Sequence, residues 1–222
     1  MRDDRKQFYI DFGLSGLTRM VDAGWSSGTT PLEIVAAVAD WGDGAYAPTL
    51  LEDALRVLES DLSSREVDIL WCAASKRSYR PDFFGVEGRA WLGRVADVCA
   101  ERIRQDDPSF AVVPAGPAPA ASFADEVLAE VGSVAAAVRS VEGHPHYGVP
   151  DVVRTLGRTV TDVDPDLGFR MLLRVLKAYQ ITIGEPRLAR YQDLGERLGY
   201  DECVVEDGGI DVGTEVWADP VD

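Results

Sequence analysis

The sequence predicts a mainly α protein, a multi-helix globular bundle in two halves with a small C-terminal β-hairpin element. Three observations carry that prediction. Apolar residues recur at three- and four-residue spacing through most of the chain, helix-start patterns precede several of these segments, and a proline-rich stretch divides them. With 222 residues and 46% hydrophobic content, the chain can bury a core without disulfide or metal staples.

Taken in order, Gln7 to Phe12 is aromatic and partly alternating, which suits a short strand or an extended arm packed on the body. Leu14, Leu17, Met20 and Val21 then follow helical spacing up to Gly24. Thr30-Pro31-Leu32-Glu33 combines an N-cap, a first-turn proline and the Glu of a capping box, and predicts a helix to Trp41. Leu51, Leu55, Leu58 and Leu62 form the stripe of the next helix, from about Pro48. Ser63 and Glu66 make a second capping box, with Val67, Leu70, Trp71 and Ala74 as the helical face; a buried strand over 67–73 is the alternative. Trp91, Leu92, Val95, Val98, Cys99 and Ile103 define a helix over 86–105.

Residues 107–121 carry Pro108, Pro114, Pro117 and Pro119, which a regular helix does not tolerate. The expected organisation is a helical half over 1–106, a Pro/Ala-rich connecting loop over 107–121 and a second helical half with an acidic tail over 122–222, or one domain overall. In that second half, Ser122 with Asp125 predicts one helix through Val127, Val131, Val134, Val138 and Val141 to Gly143. Pro150 opens another, Asp164-Pro165-Asp166 a third through Tyr179, and Pro186 a last one ending at Gly199. Beyond Tyr200, 202–206 and 210–212 flank Asp207-Gly208-Gly209, the pattern of a hairpin with an Asp-Gly turn.

The formal charge is −16, and residues 201–222 hold eight acids with no Lys or Arg, so half of that charge sits in the last 22 residues. Such a molecule is repelled by nucleic acid and attracts cationic partners. No apolar run reaches the length of a membrane span and no signal-peptide pattern opens the chain, so the expected location is cytoplasmic. Only three lysines among 22 basic residues, with abundant Ala and Gly, fit a GC-rich bacterial coding sequence. Cys72, Cys99 and Cys203 lack metal or redox spacing and read as free, mostly buried thiols.

Candidate sites are few. Asp207, Asp211, Glu215 and Asp219, with Trp217 and Ile210 as apolar anchors, predict a docking surface for a basic protein. Lys76, Arg77 and Arg80 form the one cationic cluster and could grip an anion through guanidinium forks. His144 and His146 are the only histidines, and a connecting loop explains them better than a metal site. Asp162, Asp164 and Asp166 echo a calcium loop, yet Leu167 stands where glycine is required and Leu173 where the bidentate Glu belongs. No phosphate-loop, dinucleotide, nucleophile-elbow or zinc-protease motif is present, and no cofactor is expected.

The sequence therefore points first to an acidic protein-binding module, an immunity or antitoxin-like inhibitor of a cationic partner such as a nuclease toxin. The alternative is a helical enzyme or small-ligand binder that holds an anionic substrate with Lys76, Arg77 and Arg80, with His144 or His146 as acid or base.

Overall fold

Two capping boxes start helices where local chemistry demands them. In the computed structural model, which describes residues 3–23, 29–118 and 120–215, the Glu33 amide donates to Thr30 Oγ1 at 3.3 Å and the Thr30 amide to Glu33 Oε2 at 2.6 Å. Ser63 and Glu66 repeat the exchange at 3.3 and 2.9 Å. Each box satisfies amides that a helix start leaves without partners.

Among the described residues ten helices form: α1 (Gly13–Ala23), α2 (Pro31–Asp40), α3 (Ala47–Glu59), α4 (Ser64–Ala74), α5 (Gly88–Asp106), α6 (Ala124–Ser133), α7 (Ala135–Glu142), α8 (Val152–Asp162), α9 (Pro165–Tyr179) and α10 (Glu185–Arg197). Short 3-10 turns cover Asp3–Gln7, Pro81–Phe84 and Ala121–Phe123. Residues 67–73 are helical, inside α4. None of the helices is long and apolar enough to cross a membrane.

α9 is the central element. All of its residues are buried, and it packs on α1 and α4 from the first half and on α6, α7 and α8 from the second. One hydrophobic cluster accordingly runs from Phe8 to Val205 through both halves. The Pro/Ala segment lies along α3: Arg56 Nη1 donates to the Gly116 carbonyl at 3.0 Å, and the Ala115 amide donates to the Glu59 carboxylate at 3.2 Å.

The structure departs from the sequence expectations in three places. The helix expected from Ser122 to Gly143 is two helices that break at Val134. Gly132 and Ser133 are weak helix formers, the Ser133 hydroxyl donates to the Glu130 carbonyl at 2.7 Å, and Val134 is pulled into the core. Ser122 caps nothing, because it sits inside the 3-10 turn. The segment 7–12 follows the second of its two expected forms, an arm packed on the body and not a strand: Phe8 and Phe12 stack on each other with centroids 4.9 Å apart and are buried.

The C-terminal hairpin is the third correction. Among the described residues no strand exists, and 202–209 is a run of turns. Val204 and Val205 are both buried, which alternating strand faces do not allow for neighbours on a one-sided sheet. Residues 210–213 pair instead with the segment after α9: the Ile183 amide donates to the Asp211 carbonyl at 2.8 Å and the Gly213 amide to the Ile183 carbonyl at 2.9 Å, an isolated parallel bridge.

Candidate functional site

The basic residues of α9 lie at 170, 174 and 177, a stripe that an amphipathic helix would turn to water. Here the stripe is buried, and carboxylates gather around it. Arg170 donates to Asp53 and Asp166, to the Phe12 carbonyl at 3.0 Å and to Ser15 Oγ at 3.3 Å. Asp166 Oδ1 also receives Arg5 Nη1 and the Tyr200 hydroxyl, each at 2.6 Å. Burial pushes the Asp166 carboxyl up, but Arg170 and Arg5 overcome that and hold it below the ordinary carboxylate value. The N-terminal arm and Tyr200 are thereby pinned to the same helix.

One turn further along, Arg174 donates to Asp22 Oδ2 at 2.7 Å and to the Ala74 carbonyl at 2.9 Å. Lys177 reaches the Val204 carbonyl at 3.4 Å. Burial lowers its ammonium to about 8 against the opposing pull of Asp11 and Asp207. Asp207 in turn accepts the Asp11 amide and the Arg19 guanidinium, each at 2.8 Å.

These ties close the arm and the 200–207 turn around the end of α10, leaving a groove of about 1030 Å³. Six carboxylates line it, those of Asp193, Glu196, Asp201, Glu202, Glu206 and Asp207, against the single ammonium of Lys6. Tyr9 stands on its wall with 70% of its surface in water. Chemically, the groove's lining is complementary in charge to a cationic segment, and the Tyr9 ring offers a face on which an aromatic or guanidinium group can stack.

No family model, curated protein or solved structure matches this chain. The site is therefore read from its geometry.

The expected C-terminal docking cluster is divided. Asp207 lines the groove. Asp211 and Glu215 are held elsewhere: the Asp211 carboxylate accepts the Thr182 hydroxyl, and Glu215 accepts the Gly184 amide at 2.8 Å and both Nε and Nη2 of Arg187 at 2.8 and 3.0 Å. Glu215 thus ties the chain end to the start of α10. Trp217 and Asp219 lie outside the described residues.

Lys76, Arg77 and Arg80 stay together in one loop, yet each has a partner within the protein. The Lys76 ammonium sits 5.4 Å from the centre of the Tyr147 ring. Arg77 Nη1 donates to the Gly148 carbonyl at 3.1 Å, and Arg80 pairs with Asp82, its Nε at 3.2 Å. The His144 ring stacks on Tyr147 at 3.6 Å and is 5.8 Å from His146. Among the described residues no group of three or more His, Cys, Asp or Glu side chains is placed to hold a metal ion.

Sequence reading missed Lys6, Tyr9, Asp193 and Glu196 as groove residues. The signal available was weak: Asp193 and Glu196 are three apart on the wet side of the last helix. Their meeting with Lys6 and Tyr9 is a long-range event.

Proposed function

We propose that this chain is a protein-binding module that captures a basic partner, in the manner of an immunity or antitoxin-like inhibitor of a cationic nuclease toxin. The observation that supports the reading is the groove itself, with six carboxylates, one ammonium and an exposed Tyr9. A concave anionic surface with low-dielectric walls focuses its field, speeds encounter with a cationic surface and competes with the phosphates that such a partner binds. Tyr9 supplies the aromatic anchor that tight interfaces concentrate at their centre.

The test pairs capture with growth. The intact chain, immobilised in a lysate of its native host, retains a basic protein that the double variant E202K/E206K does not retain. That protein, expressed alone, arrests growth; co-expression of the intact chain restores growth and co-expression of the variant does not. Equal capture by both chains, or growth unaffected by either, overturns the proposal.

A further inference from the structure

The first part of the Pro/Ala segment presents two valines to water, Val112 at 43% exposed and Val113 at 65%. Pro114 confines Val113 to extended backbone, and β-branching favours the same conformation at both valines. The chain makes neither turn nor bend from 110 to 115. Among the described residues, no hydrogen bond reaches the main chain of Ala111, Val112 or Val113. Their N–H and C=O groups therefore stand open along an extended, exposed stretch.

That stretch is fixed at both ends. On one side the Phe110 amide donates to the Asp107 carbonyl at 2.9 Å, and the Phe110 ring packs against the core. On the other, the Glu59 carboxylate accepts the Ala115 amide at 3.2 Å. The buried Arg56 guanidinium donates to the Gly116 carbonyl at 3.0 Å and to the Ala115 carbonyl at 3.4 Å. A segment already ordered in this way loses little further freedom when a partner pairs with it.

Open main chain on an extended stretch selects its own complement. Only another extended chain supplies a matching row of main-chain donors and acceptors, whereas a groove between helices has its main chain bonded internally. Two other occupants fit the structure poorly. Recognition as a polyproline helix would use Pro114 and Pro117, but the main chain between them is tied to α3 and Gly116 has φ of 71°, outside that geometry. A second copy has no strand to offer among the described residues, and pairing like with like would bring Glu59 of one copy towards Asp107 of the other. Those two acids instead indicate the edge that fits. Neither has an ion-pair partner among the described residues, and they flank the stretch on both sides, while exposed sheet edges are commonly guarded by lysines.

We propose that residues 111–113 are a second interaction surface, which adds as an extra strand to an exposed, lysine-flanked sheet edge of another protein. This surface shares no residue with the acidic groove, so it stands or falls apart from the proposed function.

Amide hydrogen exchange and chemical shifts of the intact, isotope-labelled chain test this. The probe is a synthetic three-stranded β-sheet peptide whose open edge carries a lysine at each end. In the free protein the amides of Ala111, Val112 and Val113 exchange at close to the rate of an unstructured chain. With the peptide, their exchange slows about tenfold or more and the shift changes centre on them; the same peptide N-methylated along its open edge does not bind. V113P removes an N–H while keeping extended backbone, and weakens binding about tenfold with unchanged circular dichroism. V113T keeps the main chain and binds within about threefold of wild type. No binding up to about 1 mM peptide, equal binding of the N-methylated peptide, or V113P that binds like wild type overturns the inference. Protection of residues 111–113 that grows with the concentration of the chain alone also overturns it, since the occupant is then a second copy.

Discussion

Arg170 grips Asp53 through two parallel N–H···O bonds of 2.8 Å, Nη1 to Oδ2 and Nη2 to Oδ1, with both side chains inside the protein. The same guanidinium lies 4.6 Å from the centre of the Phe12 ring and bonds Asp166 one turn back along α9. Asp53 Oδ2 also accepts the Leu14 amide at 2.8 Å. Three segments, α1, α3 and α9, thus share one buried ionic node, and the approach is close. A Cβ added at Gly13, whose φ is +61°, would fall 2.1 Å from Asp53 Oδ2.

Removing the cation should therefore strand the buried Asp53 carboxylate, while Asp166 keeps Arg5 and the Tyr200 hydroxyl. Arg170→Met is expected to lower unfolding free energy by about 3–5 kcal/mol, the cost of an uncompensated buried charge. The double variant R170M/D53N should lose less than the sum of the single losses, because the stranded carboxylate is gone. Urea denaturation of the four forms checks this, and strict additivity would refute the node.

Asp164 supplies a pH test. Burial, with the Asp166 charge beside it, pushes its carboxyl up to about 6 from 3.8. Between those values the native state holds a proton that the unfolded chain releases, so this carboxyl's contribution to stability falls as pH rises from 3.8 to 6 and stays lost above that. Asp164→Asn keeps an oxygen for the Asp166 amide at 2.9 Å and has no proton to lose. Its stability relative to wild type should rise by about 2–3 kcal/mol across that window and level off above it. Parallel curves would count against the assignment.

The thiols should separate cleanly. Burial pushes Cys72 and Cys99 up to about 12, whereas Cys203 is exposed in the groove, its thiol raised by its bond to Asp201. A disulfide reagent at neutral pH should titrate one thiol in the native protein and three in denaturant. Added cationic partner should slow the native reaction, and a rate indifferent to the partner would argue against occupation of the groove.

Deleting everything after Tyr200 should damage the fold and so cannot isolate the groove. Val204 and Val205 are almost fully buried, and Asp207 holds the Asp11 amide and Arg19. Loss of the two valines alone is expected to cost about 3–6 kcal/mol. E202K/E206K, changing exposed positions, should keep its melting temperature close to that of wild type.

Much of the helical layout was legible from short-range patterns. Thr30 with Glu33, Ser63 with Glu66, and Asp164 with Pro165 announce helix starts that the structure keeps, since a cap involves residues only two or three apart. Reading failed where the competing factor was tertiary. Val204 and Val205 look like strand, yet both are drawn into the core beside α9 and α10, and Val212 finds Ile183 rather than a hairpin partner. Val134 continues the apolar spacing of one helix but marks the break between two.

The sequence by itself determined the α class, the positions of the capped helices and the excess of negative charge at the end of the chain. Only the tertiary structure decided which of those charges are paired within the protein and which face the groove. Of the tail acids, Glu215 closes on Arg187, Asp211 on Thr182 and Asp207 on Arg19, while Asp201, Glu202 and Glu206 join Asp193 and Glu196 in the groove. The physical reason is range. Helical periodicity and capping act within one or two turns, but Arg170 meets Asp53 across 117 residues and the Phe12 carbonyl across 158. Ion pairing at that separation follows from how α9 is buried, and no local pattern encodes it.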